Sequence, residues 1–322
     1  MAATTSNSID GARVLKQFLL GKKPLTIGAY TKDLEDFRVH LKAPTIPAAI
    51  ERLFGHGHVK AQEIMAGYRA KMISGKGLGR DLAPASVNRR LSTLRSLGKQ
   101  ARIMGLIPWV LDAKNEKPGT VRDSRGPGKE AVETVFRHLW SLPATAPVLR
   151  DLGILHLLYD LGLRRGEISG LDLGHVVGAA VMVKAKGKRT RQPLELPPAT
   201  LEALQAWIRV RRGRDQALFV NFDTVHATKT GKRLTASAIA AMLKTRATAA
   251  GLPPGIAKLF HPHGIRHTAI TEALKAGVKA GHRIDEVAQF SRHADPRTMF
   301  KYIDKEGNIQ GKLSAAIAIR RN

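Results

Sequence analysis

Apolar positions along the chain fall into two regimes. Between Pro84 and Gly105 they recur at helical spacing: Val87, Leu91, Leu94, Ala101 and Met104 are three, four or seven residues apart, which puts them on one stripe of a helix. Proline at the start and glycine at the end suit the two termini of that helix. Arg95, Lys99 and Arg102 run beside the stripe at i, i+4 and i+7, either as a solvated edge or as a face laid against phosphates. Tyr30–Leu41 and Ala61–Ile73 read as shorter amphipathic helices. They are joined by glycine-rich loops such as Ser74–Ala83, and GHGH at Gly55–His58 reads as loop.

Beyond residue 128 the pattern mixes two periods. Leu152, Leu155, Leu158 and Leu161 mark a largely apolar helix that stops near Gly162. Val176–Lys184 reads as a strand, Lys186–Arg191 as a polar basic turn, and Leu194 and Leu196 as a returning strand. Helix resumes from about Ala199. Between the regimes, residues 113–128 hold proline, glycine and charges, with Val121 the one large aliphatic residue, a linker composition. The expected organisation is an all-α front domain over 1–112, a linker over 113–128, and a back domain over 129–322. That back domain is predicted to be α+β, mainly helical with a small antiparallel sheet, and to end in a tail from about residue 305.

At 322 residues the chain is long enough for two well-buried cores. Lys and Arg number 53 against 26 Asp and Glu, a net charge of +27. The excess is 12 through Glu130 and 15 after it, so both parts are basic. Such a balance points to nucleic acid, although a ribosome-associated or membrane-surface protein would carry it too. There is no cysteine, which excludes disulfide scaffolds, cysteine-ligated zinc or iron–sulfur sites and a thiol nucleophile. No apolar run reaches 18 residues, and the first residues lack a secretory-signal pattern. A soluble, intracellular protein is expected.

Three separated segments hold candidate chemistry. Leu161–Leu171 (LGLRRGEISGL) carries Arg164 and Glu167 just past the apolar helix. Arginine offers a planar five-donor fork suited to phosphate, but Arg–Glu pairs at i, i+3 are also ordinary surface features. Pro262–Leu274 carries His263, Arg266 and His267, which share a face if a helix begins near Pro262. His263 and His267 have i, i+4 metal spacing but lack the glutamate of HExxH, so His267 reads as structural. Phe290–Asp304 carries His293 nine residues before Tyr302, one of four tyrosines and by itself equally a packing residue.

Together, GLRRGE, the turn AKGKRTR, HPHGIRH and SRHADPRTMFKY resemble the boxes of the tyrosine recombinases, also called phage integrases. The resemblance covers the whole back part. The front part is similar to the family's helical core-binding domain in size and position. Residue by residue, the resemblance implies Arg164, Lys186, His263, Arg266, His293 and Tyr302 as catalytic. Tyr302 would be the nucleophile, forming a covalent 3′-phosphotyrosyl link while a 5′-hydroxyl leaves. His263 would manage the phenol proton, because a tyrosine of pKa about 10 needs a base and cationic neighbours at neutral pH. Arg164 and Arg266 would hold the non-bridging oxygens, and His293 would hydrogen-bond the phosphate. Lys186 would be the general acid for the leaving oxygen; Lys184 and Lys188 flank it, and its place before Gly187 in the turn favours it. Glu167 would orient Arg164 or the second-box histidine.

The same resemblance implies a site-specific recombinase that integrates, excises or resolves mobile DNA and uses neither ATP nor a metal or other cofactor. Its partner would be double-stranded DNA carrying specific recombination sites, contacted also by Arg95, Lys99, Arg102, Lys188, Arg189, Arg191 and Arg292. Four protomers would assemble on two sites, with the tail packed in cis or into a neighbour, in the cytoplasm at the nucleoid. A type IB topoisomerase-like nicking–closing enzyme and a non-catalytic DNA-binding regulator derived from a recombinase are the rival readings. Two departures stand out. Ser291-Arg292 replaces the usual Leu-Gly, and 26 residues separate Arg266 from His293, so a longer surface loop is expected around Lys275–Val287.

Overall fold

The computed structural model describes residues 9–75, 81–117, 126–185, 190–213, 215–222 and 230–292. The chain divides into two compact units, Met1–Arg122 and Asp123–Asn322, each built around its own apolar cluster.

The first unit holds α1 (Gly11–Leu19), α2 (Pro24–His40), α3 (Ile46–Phe54), α4 (Gly57–Ser74) and α5 (Pro84–Ile103). Asp10 and Thr45 cap α1 and α3 through their side-chain oxygens, and Pro24 and Pro84 begin α2 and α5. The α5 stripe is buried as its spacing predicts: Val87, Leu91, Leu94 and Ala101 pack with Phe18, Phe37, Leu53 and Met65. Asp33, 2% exposed, accepts from Thr93 Oγ1 (2.9 Å) and pairs with Arg89 (2.6 Å), which joins α2 to α5. Asn88 exchanges two hydrogen bonds with the backbone of Glu116, at 2.9 and 2.7 Å. The first residues after position 112 are thereby bound to α5. Tyr30–His40 and Ala61–Ile73 lie within helices longer than predicted, and Leu41 is the C-cap of the first. GHGH is only half a loop: Gly55 and His56 turn between α3 and α4, whereas Gly57 and His58 belong to the first turn of α4 and His58 stacks on Trp109.

The second unit holds α6 (Lys129–Ser141), α7 (Ala146–Tyr159), α8 (Arg165–Ser169), β1 (Val176–Val177), β2 (Ala180–Val183), β3 (Gln192–Glu195), α9 (Pro198–Val210), α10 (Ala236–Ala249), α11 (Pro254–Ala257), α12 (Pro262–Lys279) and α13 (Ile284–Ser291). It is mainly helical with one small antiparallel sheet in the order β1-β2-β3. The single strand predicted over Val176–Lys184 is instead a hairpin. The chain reverses at Gly178 (φ 56), pairing Val177 with Ala180 before Val181 meets Leu194. Its positive φ suits glycine.

Two buried helices organise this unit. From Arg150 to Leu158, α7 is enclosed, and its charged side chains are paired within the fold. Asp151 accepts from Arg150 (2.7 Å) and Arg246 (2.8 Å), while Asp160 binds His156 Nδ1 (2.7 Å) and Thr200 Oγ1 (2.6 Å). The other is α12, buried from Gly264 to Thr271. A Cβ on Gly264 would overlap the Leu259 carbonyl oxygen, and one on Gly126 would overlap Thr268 and the Gly264 carbonyl. Gly128 N–H also donates to Thr268 Oγ1 (3.3 Å), so residues 126–128 are bound to the start of α12. The long loop expected around Lys275–Val287 is absent. Helix α12 continues to Lys279, only Ala280–Arg283 turn, and Gly277 leaves space that Val287 of α13 fills. No helix among the described residues is long and apolar enough to cross a membrane.

Candidate active site

Arg164 is the N-cap of α8, and one carboxylate shapes that start. The Arg164 backbone N–H donates to Glu167 Oε2 and its Nη1 to Oε1, both at 2.9 Å. The Glu167 side chain is 4% exposed and that of Arg164 29%, so the acid is enclosed while the guanidinium reaches the surface. Nε and Nη2 of Arg164 have no partner among the described residues. Arg266, on the first turns of α12, is buried; it donates through Nη1 to the Gly162 carbonyl and through Nη2 to the Ser291 carbonyl. The left-handed φ of Gly162 (55°) lets that carbonyl turn toward α12.

His261 and His263 flank Pro262 and are exposed. His261 is the N-cap of α12, where its Nδ1 accepts the Gly264 N–H at 3.0 Å. Desolvation by the surrounding protein holds the His263 imidazole below its ordinary pKa, with His261, Arg266 and Arg164 lowering it further. Burial and Arg165 do the same to His261. Both rings are therefore neutral at neutral pH, and a neutral ring nitrogen can accept a proton.

Arg164, His263 and Arg266 meet in one cleft of about 440 Å³, lined also by Arg165, Ala240, His261 and Pro262. Residues 102 positions apart in sequence are joined there because the turn after α7 docks on the start of α12 through the Gly162 carbonyl. Among the described residues its lining holds three arginines and no carboxylate, so the cleft suits an anion with several oxygens, and paired arginine forks suit phosphate. Arg165 and His261 were not among the sequence candidates. Arg165 was legible as a second basic residue beside Arg164. His261 was not, because N-caps are usually Ser, Thr, Asp or Asn.

Other sequence candidates lie elsewhere. His267 is buried in α12, with Nδ1 3.5 Å from Thr271 Oγ1, so it does not share the cleft face of His263. Arg292 does not reach the surface expected of a DNA contact: its guanidinium turns inward to Glu167 and to main-chain carbonyls. Arg191 donates to the carbonyls of Met182 (3.2 Å) and Gly170 (3.4 Å). In the first unit, Arg95 is half-buried and donates to the Ala113 carbonyl (3.0 Å) and Asn115 (2.8 Å), whereas Lys99 and Arg102 are exposed. Lys186, Lys188, Arg189, His293, Tyr302 and the tail from about 305 lie outside the described residues.

The phage integrase family is matched over residues 133–308. Over 328 aligned residues the chain is 30% identical to the tyrosine recombinase slr0733 of Synechocystis sp., covering 99% of each. It is also 30% identical to the tyrosine recombinase XerC of Myxococcus xanthus, over 88% of this chain and 87% of the other. Among solved structures, the fold is similar to the Tn1549 transposon integrase in complex with transposon right end DNA. That similarity has a TM-score of 0.68 at 14% identity, over 97% of this chain and 100% of the other. A lambda integrase dimer bound to a COC′ core site gives a TM-score of 0.64 at 14% identity, over 92% and 94%.

Proposed function

Because the chain belongs to the phage integrase family and is a tyrosine-type site-specific recombinase, we propose that it cuts and rejoins DNA through a covalent phosphotyrosine to move or resolve mobile DNA. In this reading one phosphodiester lies in the cleft, with Arg164 and Arg266 on its non-bridging oxygens. The observation that carries it is their meeting with His263 around a single 440 Å³ space. Tyr302 Oη attacks phosphorus, the P–O5′ bond breaks, and a 3′-phosphotyrosyl bond forms. The phenol proton passes to neutral His263, and Lys186 gives a proton to the departing 5′-oxygen. His293 supplies a further hydrogen bond to the phosphate. Attack by a 5′-hydroxyl of the partner strand reverses the step, so the energy of the broken bond is kept and no ATP is consumed.

Negative charge grows on the phosphoryl oxygens during transfer, and preorganised cations lower the barrier by meeting it. Removing one such donor costs about 10²–10³ in rate in other enzymes. Double-stranded DNA with specific sites is the partner, and a tetramer on two sites is the assembly we propose. The test is a duplex nicked next to the crossover, so that the short 5′-hydroxyl fragment diffuses away after cleavage. Wild-type protein is expected to accumulate a covalent complex that survives denaturing electrophoresis, and Tyr302→Phe is expected to form none. Failure of wild-type protein to trap any complex while still binding the site would overturn the catalytic reading in favour of a DNA-binding regulator.

A further inference from the structure

Arg292 ends α13 in the left-handed region (φ 49°, ψ 38°). With Lys42 it is one of two non-glycine residues among those described that have positive φ. A side chain with a Cβ is disfavoured there relative to glycine. The side chain is also largely enclosed, 12% exposed, and its buried Nε has no partner among the described residues. Burial pushes its pKa down, while Glu167 pulls it back up. A glycine at this position would avoid both penalties.

What the side chain provides is a set of connections. Nη1 donates to the carbonyls of Leu161 (3.0 Å) and Phe290 (3.4 Å), and Nη2 to the Gly162 carbonyl and Glu167 Oε2, both at 3.3 Å. Glu167 uses its other oxygen to hold Arg164, and the Gly162 carbonyl also accepts from Arg266. Arg164 and Arg266 are therefore each one shared acceptor away from Arg292. We propose that Arg292 is a positioning residue that sets where the Arg164 and Arg266 guanidinium groups stand against the reacting phosphate, through Glu167 on one side and the Gly162 carbonyl on the other. This rests on the proposed cleavage reaction and replaces a direct DNA contact by Arg292.

Arg292→Gly is the informative variant, because glycine relieves the backbone while removing every connection. Single-turnover cleavage of the nicked duplex at saturating DNA is expected to fall about 10- to 100-fold, the scale set by misplacing catalytic groups by about 1 Å. Affinity for the intact site should stay within about threefold of wild type. The gap between variant and wild type should narrow on a duplex with a methylphosphonate at the scissile position, where less charge needs an arginine. Cleavage within twofold of wild type would overturn the proposal. So would an affinity loss that saturating DNA fully rescues, which would mark a direct phosphate contact. A gap unchanged by the methylphosphonate would also overturn it, assigning the loss to the fold. Should the glycine variant fail to fold, Arg292→Lys is read by the same three outcomes, since a lysine keeps the charge but cannot span Glu167 and two carbonyls. If wild-type protein traps no covalent complex, the cleavage reading has failed, and that result is separate from any property of Arg292.

Discussion

At the scale of single residues, His261 links the site to pH. Its Nδ1 accepts the Gly264 N–H, so that nitrogen carries no proton and the cap is lost when the ring is charged. Burial, with Arg165, depresses its pKa in the folded chain. The unfolded chain therefore takes up the proton first as pH falls, from about 6.5 downward, and stability drops with it. That contribution is fully present above the unfolded value and is lost through the lower folded one. His40, His175 and His263 are depressed as well, mainly by burial, and add to the same slope. Thermal denaturation should give a Tm that falls between pH 7 and pH 5. His261→Ser replaces the capping nitrogen with a hydroxyl oxygen that does not titrate and should flatten part of that fall, while His261→Ala should lose about 1 kcal/mol at pH 7. An unchanged slope in His261→Ser would remove His261 from the pH response. The residues that sequence reasoning placed, Arg164, His263 and Arg266, sit in short motifs whose spacing shows their local order. The cap at His261 and the inward turn of Arg292 depend on the three-dimensional surroundings. Arg292 meets partners 125 to 131 residues away, and no local pattern encodes that.

At the scale of elements, α12 presents the cleft because it can be buried closely, and two glycines allow this in different ways. At Gly264 a Cβ would meet a backbone carbonyl, that of Leu259, whereas at Gly277 it would meet Val287 Cγ2 at 2.5 Å, the end of a side chain. A backbone atom at the turn into α12 has little room to move, so Gly264→Ala should destabilise by about 1–3 kcal/mol, the range for overpacking. Gly277→Ala also gains helix propensity of about 1 kcal/mol, so its net loss should be smaller. Val287→Ala in the same chain should recover most of it. Urea unfolding of the two single variants and the double variant checks this, and additive losses in the Gly277/Val287 pair would show that the two do not touch. Gly277 also explains why the loop expected from the length between Arg266 and His293 is absent. The extra residues continue α12, and Gly277 is the contact point for α13 within that helix. The α5 stripe was legible because an amphipathic face against a single core repeats at the helical period. The β1–β2 reversal was not, because it rests on the φ of Gly178 alone.

At the scale of the whole molecule, the charge of +27 is spread over both units: 21 basic against 9 acidic residues through Arg122, and 32 against 17 beyond it. Not every cation is available to DNA, and α5 separates the two kinds. Arg95 is bound to the Ala113 carbonyl and Asn115, so its removal loosens the segment that leaves α5, whereas Lys99 and Arg102 are exposed. If the unit lays this edge along a duplex, each exposed cation that meets a phosphate releases a counterion and contributes about 0.9 to the slope of log affinity against log salt. Lys99→Ala and Arg102→Ala should each lower that slope by about 1, weaken binding equally on specific and unrelated DNA, and leave Tm unchanged. Cleavage at saturating DNA should also be unchanged, because neither residue is among those that line the cleft. Arg95→Ala should do the opposite, lowering the stability of the first unit with little change in salt slope. Binding titrations from 50 to 200 mM salt, paired with thermal denaturation, distinguish these outcomes. A slope unaffected by Lys99→Ala and Arg102→Ala would make the stripe a solvated edge and move the DNA-facing charge of this unit to another helix.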